Sequence, residues 1–368
     1  MTLFQIVFYV YLSFLFLIAS GIIALSSIRA KDQKNAARYE GNALVMVPCR
    51  GVDFSLQENL QSLKEQSFRN YKLVGIVDSP DDPSTAYLRD AGLEIIISNY
   101  PCRECSGKVR ALSTAIKKYP DFNVYVIADS DITAGKQWLE GLLDPLADPR
   151  YGAATTFPVF YPAGGFWSHF KSAWGIVGKS MMQSRITRFG WGGSLAFRKS
   201  LIEDPSAFAF FSESVSDDTA ITKICKQRGL EIFYSRDSEP LVRSPENFHQ
   251  VVEWANRQTA LSIAASPAVY RYGLMYYSME ILLIISSIIL SFFVSVLFLL
   301  LLIPEIVKII KVAPDLKESG WRIPLLEIIL PFFYEYNLIK AHGMEEITWR
   351  GNSYMLQKQN NKKFNEKE

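Results

Sequence analysis

The chain is poor in cysteine and carries almost no net charge, and each shortage excludes something. Four cysteines occur in 368 residues, Cys49, Cys102, Cys105 and Cys225, which suits a reducing compartment better than a disulfide scaffold. Cys102 and Cys105 form a lone CxxC. No second CxxC and no His pair supplies further ligands, so a zinc site is not indicated and the two read as ordinary loop thiols. A formal net charge of +2, with no basic stripe interleaved with aromatics, argues against a nucleic-acid partner. No long repeat or low-complexity segment precedes the polar tail QKQNNKKFNEKE (357–368), which reads as solvated and disordered.

Charge is also missing from two long runs. Residues 2–28 and 281–303 contain none, and each run meets or exceeds the roughly 20 residues that cross a bilayer as a helix. The aromatic pair Tyr276 and Tyr277 before the second run suits a membrane interface, so the span is expected over about 275–303. No basic stretch opens the first run, which argues against a cleaved signal peptide. Arg29, Lys31, Lys34 and Arg38 follow it, against Asp32 and Glu40, so the positive-inside rule places what comes next in the cytoplasm. The expected layout is a membrane helix over 1–29, a cytoplasmic domain over 30–260, a membrane region over 261–345 and a C-terminal motif with the tail over 346–368. The protein would thus be a multi-pass membrane protein with its central domain in the cytoplasm.

Between the runs, short apolar stretches alternate with amphipathic ones. ALVMVP (43–48), KLVGIVD (72–78), EIIIS (94–98) and VYVIADSD (124–131) read as strands. FSLQENLQSLKEQ (54–66) puts Leu56, Leu60 and Leu63 on one helical face, and STAYLRDAG and GKVRALSTAIKKY read as further helices. Strand and helix alternating at this spacing argue for an α/β fold with a mostly parallel sheet covered on both sides. Beyond residue 151 the pattern loosens into FPVFYPAGGFWSHF, read either as the lining of an acceptor site or as an amphipathic loop and helix.

In such sheets ligands sit beyond the carboxyl ends of the strands. Asp78 ends one expected strand, and Asp129-Ser130-Asp131 ends another. Alternate carboxylates around a small residue can present hard oxygens to a divalent cation and to a ribose together, and Mg2+ or Mn2+ bridging a nucleotide diphosphate is the natural guest. Asp217 and Asp218 follow Ser216, which could cap a helix running to about residue 228. Two carboxylates in its first turn would suit the helix dipole, and one of them could also take a proton from an attacking hydroxyl.

The order of these features carries a resemblance. A strand-end Asp, a DxD, an acidic pair before a helix and a near Gln-x-x-Arg-Trp ahead of a membrane helix resemble a family 2-type, inverting glycosyltransferase of GT-A fold, Rossmann-like and flanked by transmembrane helices. The ceramide glucosyltransferase-like group is the most similar. WGGSLAFRKS (191–200) is similar to that group's small-residue strand ending in Arg-Lys, and ITWRGNSYML (347–356) to its Trp-Arg-Gly-x-x-Tyr motif, so the resemblance covers about residues 43–356.

The resemblance implies transfer of a hexose, glucose in that group, from a UDP-sugar donor to the hydroxyl of a membrane lipid at the bilayer surface. It implies that Asp78 contacts the nucleobase, Asp129 the ribose or diphosphate, and Asp131 with Asp129 the metal. Lys108 would lie near the nucleotide, Asp218 would be the general base beside Asp217, and Trp349 and Arg350 would reach the site. The C-terminus must then return to the cytoplasm, with a second span or re-entrant segment over about 322–341 that contains Glu327, Pro331 and Glu335. Lys308, Lys311 and Lys317 would face outward, against the positive-inside rule.

One departure stands out. In HQVVEWANRQ (249–258), Gln250 and Trp254 are in register with the signature, but Glu253 stands where the arginine belongs. On a helix over 245–261, Arg257 is one turn beyond Glu253, so Gln250, Trp254 and Arg257 are expected to flank the diphosphate or acceptor channel with Glu253 orienting Arg257. A processive polysaccharide synthase, or a noncatalytic nucleotide-binding membrane scaffold, is the alternative reading. The first would need more spans, and the second would have no use for Asp78, the DxD and Asp218 together.

Overall fold

The computed structural model describes residues 3–25 and 37–356. Arg29, Lys31, Lys34 and the polar tail lie outside them. Twelve strands are present among the described residues: β1 (Ala43–Pro48), β2 (Tyr71–Val77), β3 (Glu94–Ile97), β4 (Val124–Ala128), β5 (Ile132–Thr133), β6 (Tyr151–Thr155), β7 (Val159–Pro162), β8 (Ser194–Arg198), β9 (Glu231–Tyr234), β10 (Leu241–Ser244), β11 (Glu346–Trp349) and β12 (Asn352–Met355). The α-helices are α1 (Leu3–Leu25), α2 (Leu56–Lys64), α3 (Ser84–Asp90), α4 (Gly107–Lys118), α5 (Trp138–Leu143), α6 (Phe166–Met182), α7 (Pro205–Ser212), α8 (Asp217–Gln227), α9 (Phe248–Ala265), α10 (Pro267–Phe293), α11 (Ile303–Val312) and α12 (Ile323–His342).

The chain divides into two compact units, each drawn from separate stretches. One comprises Ala30–Tyr161, Val177–Ser244 and Glu345–Glu368, the other Met1–Arg29, Pro162–Ile176 and Pro245–Met344. The sequence suggested consecutive blocks instead. That β11 and β12 rejoin the first unit after the long apolar region agrees with the motif at 347–356 and not with those consecutive blocks.

In the first unit a seven-stranded sheet runs in the order β3-β2-β1-β4-β8-β6-β9. Neighbours pair in parallel except at β8, which runs antiparallel to both β4 and β6. The alternation on β1 shows why both faces are covered. Ala43, Val45 and Val47 point into one core with Leu56, Leu60, Leu63 and Trp138, while Leu44 and Met46 point into the other with Leu112, Ala115 and Ile116. The antiparallel course of β8 has a consequence for chemistry. Ser194 pairs with Ala128, so the residues entering β8 lie at the same sheet edge as those leaving β4.

Cys102 and Cys105 are joined in a disulfide rather than left as separate thiols, because the loop before α4 turns tightly enough to bring their Cα atoms to 5.8 Å. Cys49 and Cys225 are free and buried.

Among its described residues the second unit contains two helices long and apolar enough to cross a membrane, Gln5–Leu25 and Pro267–Phe293. The apolar run 281–303 is not one helix. α10 starts earlier, with Pro267 in its first turn, and ends at Phe293; Ser295 then turns extended and its hydroxyl accepts the Leu297 N–H, capping a 3-10 helix over Val296–Leu302. Leu15, Ile18 and Ile22 of α1 pack with Leu283 and Leu301. Lys308 does not stand as a flanking charge. It is ringed by Glu280, Glu305 at 2.9 Å and Glu327 at 3.9 Å, so the acid that seemed to spoil the last apolar helix has a partner within this unit.

Candidate active site

Asp78 leaves the carboxyl end of β2, and the Arg110 guanidinium donates to its Oδ1 at 3.1 Å, with Arg50 Nη1 3.9 Å from its other oxygen. Arg110 is carried by α4, whose N-cap Ser106 accepts the Val109 N–H. Lys108 in the first turn of the same helix points to the next strand end. Its ammonium lies 2.6 Å from Asp129 Oδ1 and 3.5 Å from Asp217 Oδ2, and donates to the Gly192 carbonyl at 3.0 Å. Both Lys108 and Asp217 side chains are only 8% exposed. Burial alone would discharge this lysine, yet Asp129, Asp217 and Asp218 hold its pKa above the ordinary value.

Asp217 responds the other way. Burial pushes its carboxyl up to about 7 against the pull of Lys108, and Asp218 and Asp129 push it further in the same direction. Its Oδ2 accepts no hydrogen bond among the described residues. Gly192 is what allows this packing, since a Cβ there would stand 2.5 Å from Asp217 Oδ2 and 3.1 Å from Lys108 Nζ. Asp218 is held beside it. Its Oδ1 accepts from the Ser216 hydroxyl and, at 2.7 Å, from the Thr219 N–H, while its Oδ2 accepts from the Gly192 N–H at 3.3 Å. The expected cap forms, with Ser216 ahead of α8 and Ile221 and Cys225 buried on its inner face.

The C-terminal hairpin completes the cluster. β11 and β12 pair from Glu346↔Met355 to Trp349↔Asn352, so Trp349 sits in the ladder and Arg350 at the tip. Arg350 Nη2 donates to Asp53 Oδ1 at 2.7 Å, and its Nη1 donates to the Arg50 carbonyl. Burial works against the Arg350 charge, but Asp53, Asp131 and Asp129 more than offset it and raise its pKa. Ser130 donates to the second Asp53 oxygen, and the Gly107 N–H donates to the Tyr354 hydroxyl at 3.3 Å, tying the hairpin to the start of α4.

The structure therefore brings together Asp78, Lys108, Asp129, Asp131, Asp217, Asp218 and Arg350 in one unit, with Trp349 next to Arg350 in the hairpin ladder. Gln250, Trp254 and Arg257 belong to α9 of the other. Gln250 is half of a capping box, accepting the Asn247 N–H at 2.9 Å while its own N–H goes to the Asn247 side chain. Trp254 packs edge-on to Trp174 at 4.7 Å between centroids, with the Lys171 ammonium 5.0 Å above its ring. Glu253 does not orient Arg257; α9 turns it to solvent, where it forms no ion pair among the described residues.

Sequence reasoning missed Asp53, Arg50 and Arg110. Asp53 lies in the loop that leaves β1, beyond the same strand ends as Asp78, so a search of the loops after each strand could have found it. The donor set suits a divalent ion. Asp53, Asp78, Asp129, Asp131, Asp217 and Asp218 face Arg50, Lys108, Arg110 and Arg350, an excess of two carboxylates. No described group of three His, Cys, Asp or Glu side chains could hold a metal by itself. A nucleotide-bridging Mg2+ or Mn2+ needs only one or two carboxylates besides phosphate oxygens, and Asp129 with Asp131 meets that.

A family model described as "Glycosyl transferase family 21" matches residues 9–362. The chain belongs to glycosyl transferase family 21. This family 21 enzyme has the sheet expected of a GT-A glycosyltransferase. Its fold is similar to that of the mannosyltransferase PcManGT from Pyrobaculum calidifontis, solved with GDP-Man and Mn2+, at 15% identity and a TM-score of 0.56 over 91% of this chain and 96% of that one. A looser likeness, with a TM-score of 0.44 at 14% identity over 67% of this chain and 83% of that one, is to glucosyl-3-phosphoglycerate synthase from Mycobacterium tuberculosis. No curated protein sequence matches the family 21 chain.

Proposed function

We propose that this glycosyltransferase moves a hexose, glucose by the ceramide glucosyltransferase-like resemblance, from a UDP-sugar to the hydroxyl of a ceramide-like membrane lipid at the cytoplasmic face, with inversion. The observation that carries the reading is the convergence of Asp78, the DxD carboxylates and the α8 acidic pair at one sheet edge, where carboxylates outnumber cations. Asp78, steered by Arg110 and Arg50, is the partner for a nucleobase or ribose. Asp129 and Asp131 would hold Mg2+ or Mn2+, which when bound draws charge off the leaving diphosphate.

Asp218 is the better general base of the acidic pair. It is part-exposed and fixed by Gly192 and Thr219, so it can take the acceptor proton as the acceptor oxygen bonds to the anomeric carbon and the bond from that carbon to the diphosphate oxygen breaks. Asp217 is buried and works through Lys108, keeping that ammonium beside Asp129.

A lipid acceptor fits the second unit. Most of the apolar surface of α1 and α10 stays uncovered, including Val10, Phe16, Leu17, Ile288, Phe292 and Phe293, which a core helix of a soluble protein would not allow. That the β11–β12 hairpin belongs to the catalytic unit supports a chain that returns, between Ser244 and Glu345, to the side where it began. α12, about 30 Å long for its 20 residues, would be the return pass, with Lys308 3.9 Å from Glu327 inside the unit.

Lipid mass spectrometry on cells carrying the wild type or Asp218→Ala tests the reading. Loss of one hexosylated lipid in the variant is expected, together with metal-dependent UDP release by the purified wild type. Unchanged glycolipid content would sink it.

A further inference from the structure

We propose that Arg350, at the tip of the C-terminal hairpin, supplies the cation for the donor diphosphate that the α9 segment lacks, with Asp53 as its positioning residue. This rests on the reading that the site takes a nucleoside diphosphate sugar.

Four cations of the catalytic unit lie against the carboxylate cluster. Lys108 is buried behind the carboxylates and spends its donors on Asp129, Asp217 and the Gly192 carbonyl. Arg110 and Arg50 are directed to Asp78, at a different strand end. Arg350 alone of these four combines access with the DxD. Its side chain is 34% exposed and feels the charges of Asp131 and Asp129 as well as that of Asp53. A guanidinium fork also matches two phosphate oxygens at once, which an ammonium cannot do. Its two contacts, to Asp53 and to the Arg50 carbonyl, leave the rest of the fork to a ligand.

The backbone is built to hold this side chain at that point. Arg350 has φ +47° and Gly351 φ +79°, the two left-handed residues of a tight hairpin turn. A glycine takes that conformation freely, whereas a side-chain-bearing residue pays roughly 1–2 kcal/mol for it. The hairpin is anchored by buried Ile347, by the Leu356 N–H to the Glu345 carbonyl at 2.7 Å, and by Tyr354 against Gly107. Asp53 is fixed in turn. One oxygen takes Arg350 and the other takes the hydroxyl of Ser130, the middle residue of the DxD, so the guanidinium is tethered to the motif through a single carboxylate.

The helix that carries the imperfect signature is otherwise engaged. Gln250 caps α9, Trp254 packs on Trp174, and the residue in the arginine's register is the exposed Glu253.

The test is equilibrium binding to the full-length protein in detergent, by titration calorimetry, of UDP (or GDP, whichever the wild type binds) and of the matching nucleoside, each with and without Mn2+. Arg350→Gln is expected to weaken diphosphate binding about 10- to 100-fold, the scale of a lost charge-assisted contact, and to leave nucleoside binding unchanged. The loss should persist without Mn2+. Arg350→Lys should recover part of it, and Asp53→Asn should give a smaller loss of the same selectivity. Diphosphate affinity within about twofold of wild type in a folded Arg350→Gln protein would overturn the proposal, as would equal losses for nucleoside and diphosphate. A diphosphate-selective loss in Arg257→Gln but not in Arg350→Gln would return the role to α9 and overturn it too. A wild type that binds no nucleoside diphosphate would instead remove the parent reading, and Arg350's role with it.

Discussion

Gly192 shows how narrowly the chemistry is placed. With no side chain, it lets a buried lysine and a buried aspartate meet against its backbone; Gly192→Ala would have to displace the carboxylate or the ammonium, at about 1–3 kcal/mol, and turnover should fall with the melting temperature. Thermal melts beside a UDP-release assay would check both. A second residue-scale prediction concerns acid. Hydrogen bonds from Lys118, Lys72 and Tyr119 hold Glu94 down to about 2, below its ordinary 4.5. A carboxylate depressed in this way stabilises the fold above 4.5 and loses that contribution as pH falls through about 2. Glu94→Gln should therefore melt below wild type at neutral pH, with the gap closing over that window. The group is part-exposed, so the gap will be modest.

At the scale of elements, much could be read directly. β1, β2, β3 and β4 and helices α2, α4 and α8 lie where apolar spacing and capping residues put them, because each is fixed by its own sequence and the adjoining core. Asp78, Asp129 and Asp131 were legible for the same reason, as strand-end residues. What could not be read was set by distant pairing. The reversed strand β8, which brings Gly192 to the site, looks like any other strand in sequence. The helix break near Ser295 is hidden inside an unbroken apolar run. Arg257 was the natural candidate for the missing cation because helical spacing is local information, whereas the contact of Arg350 with Asp53 joins residues 297 apart. The hairpin itself is open to test. Gly351→Ala, strained at φ +79°, should raise the donor KM by loosening the turn while leaving the global melting temperature close to wild type, and steady-state kinetics with a melt would show the split.

For the whole molecule, sidedness is the question that matters. A cysteine introduced at position 355 should react with a membrane-impermeant maleimide from the same side of sealed vesicles as one placed on exposed Tyr87. Opposite sides would break the return-pass topology. The native pair Cys102 and Cys105 gives an independent check, since cytosolic thiols open such bonds. Rapid alkylation of intact cells should label both residues if the catalytic unit faces the cytosol and neither if it faces an oxidising side. The ion cluster bears on whether the second unit assembles at all. Lys308→Met would leave Glu280, Glu305 and Glu327 buried around no cation, a change expected to cost about 3–5 kcal/mol and to show as lost folded yield in detergent.

The hairpin has one more implication, in time rather than in space. A chain is made from its N-terminus, at about 5–20 residues per second. The separation of 297 positions from Asp53 to Arg350 thus parts the two halves of that ion pair by tens of seconds, and the whole apolar region is synthesised in the interval. A nascent chain stalled before residue 345 would carry every carboxylate of the site and not its last arginine. The apolar region is therefore finished before the hairpin that completes the carboxylate cluster is made.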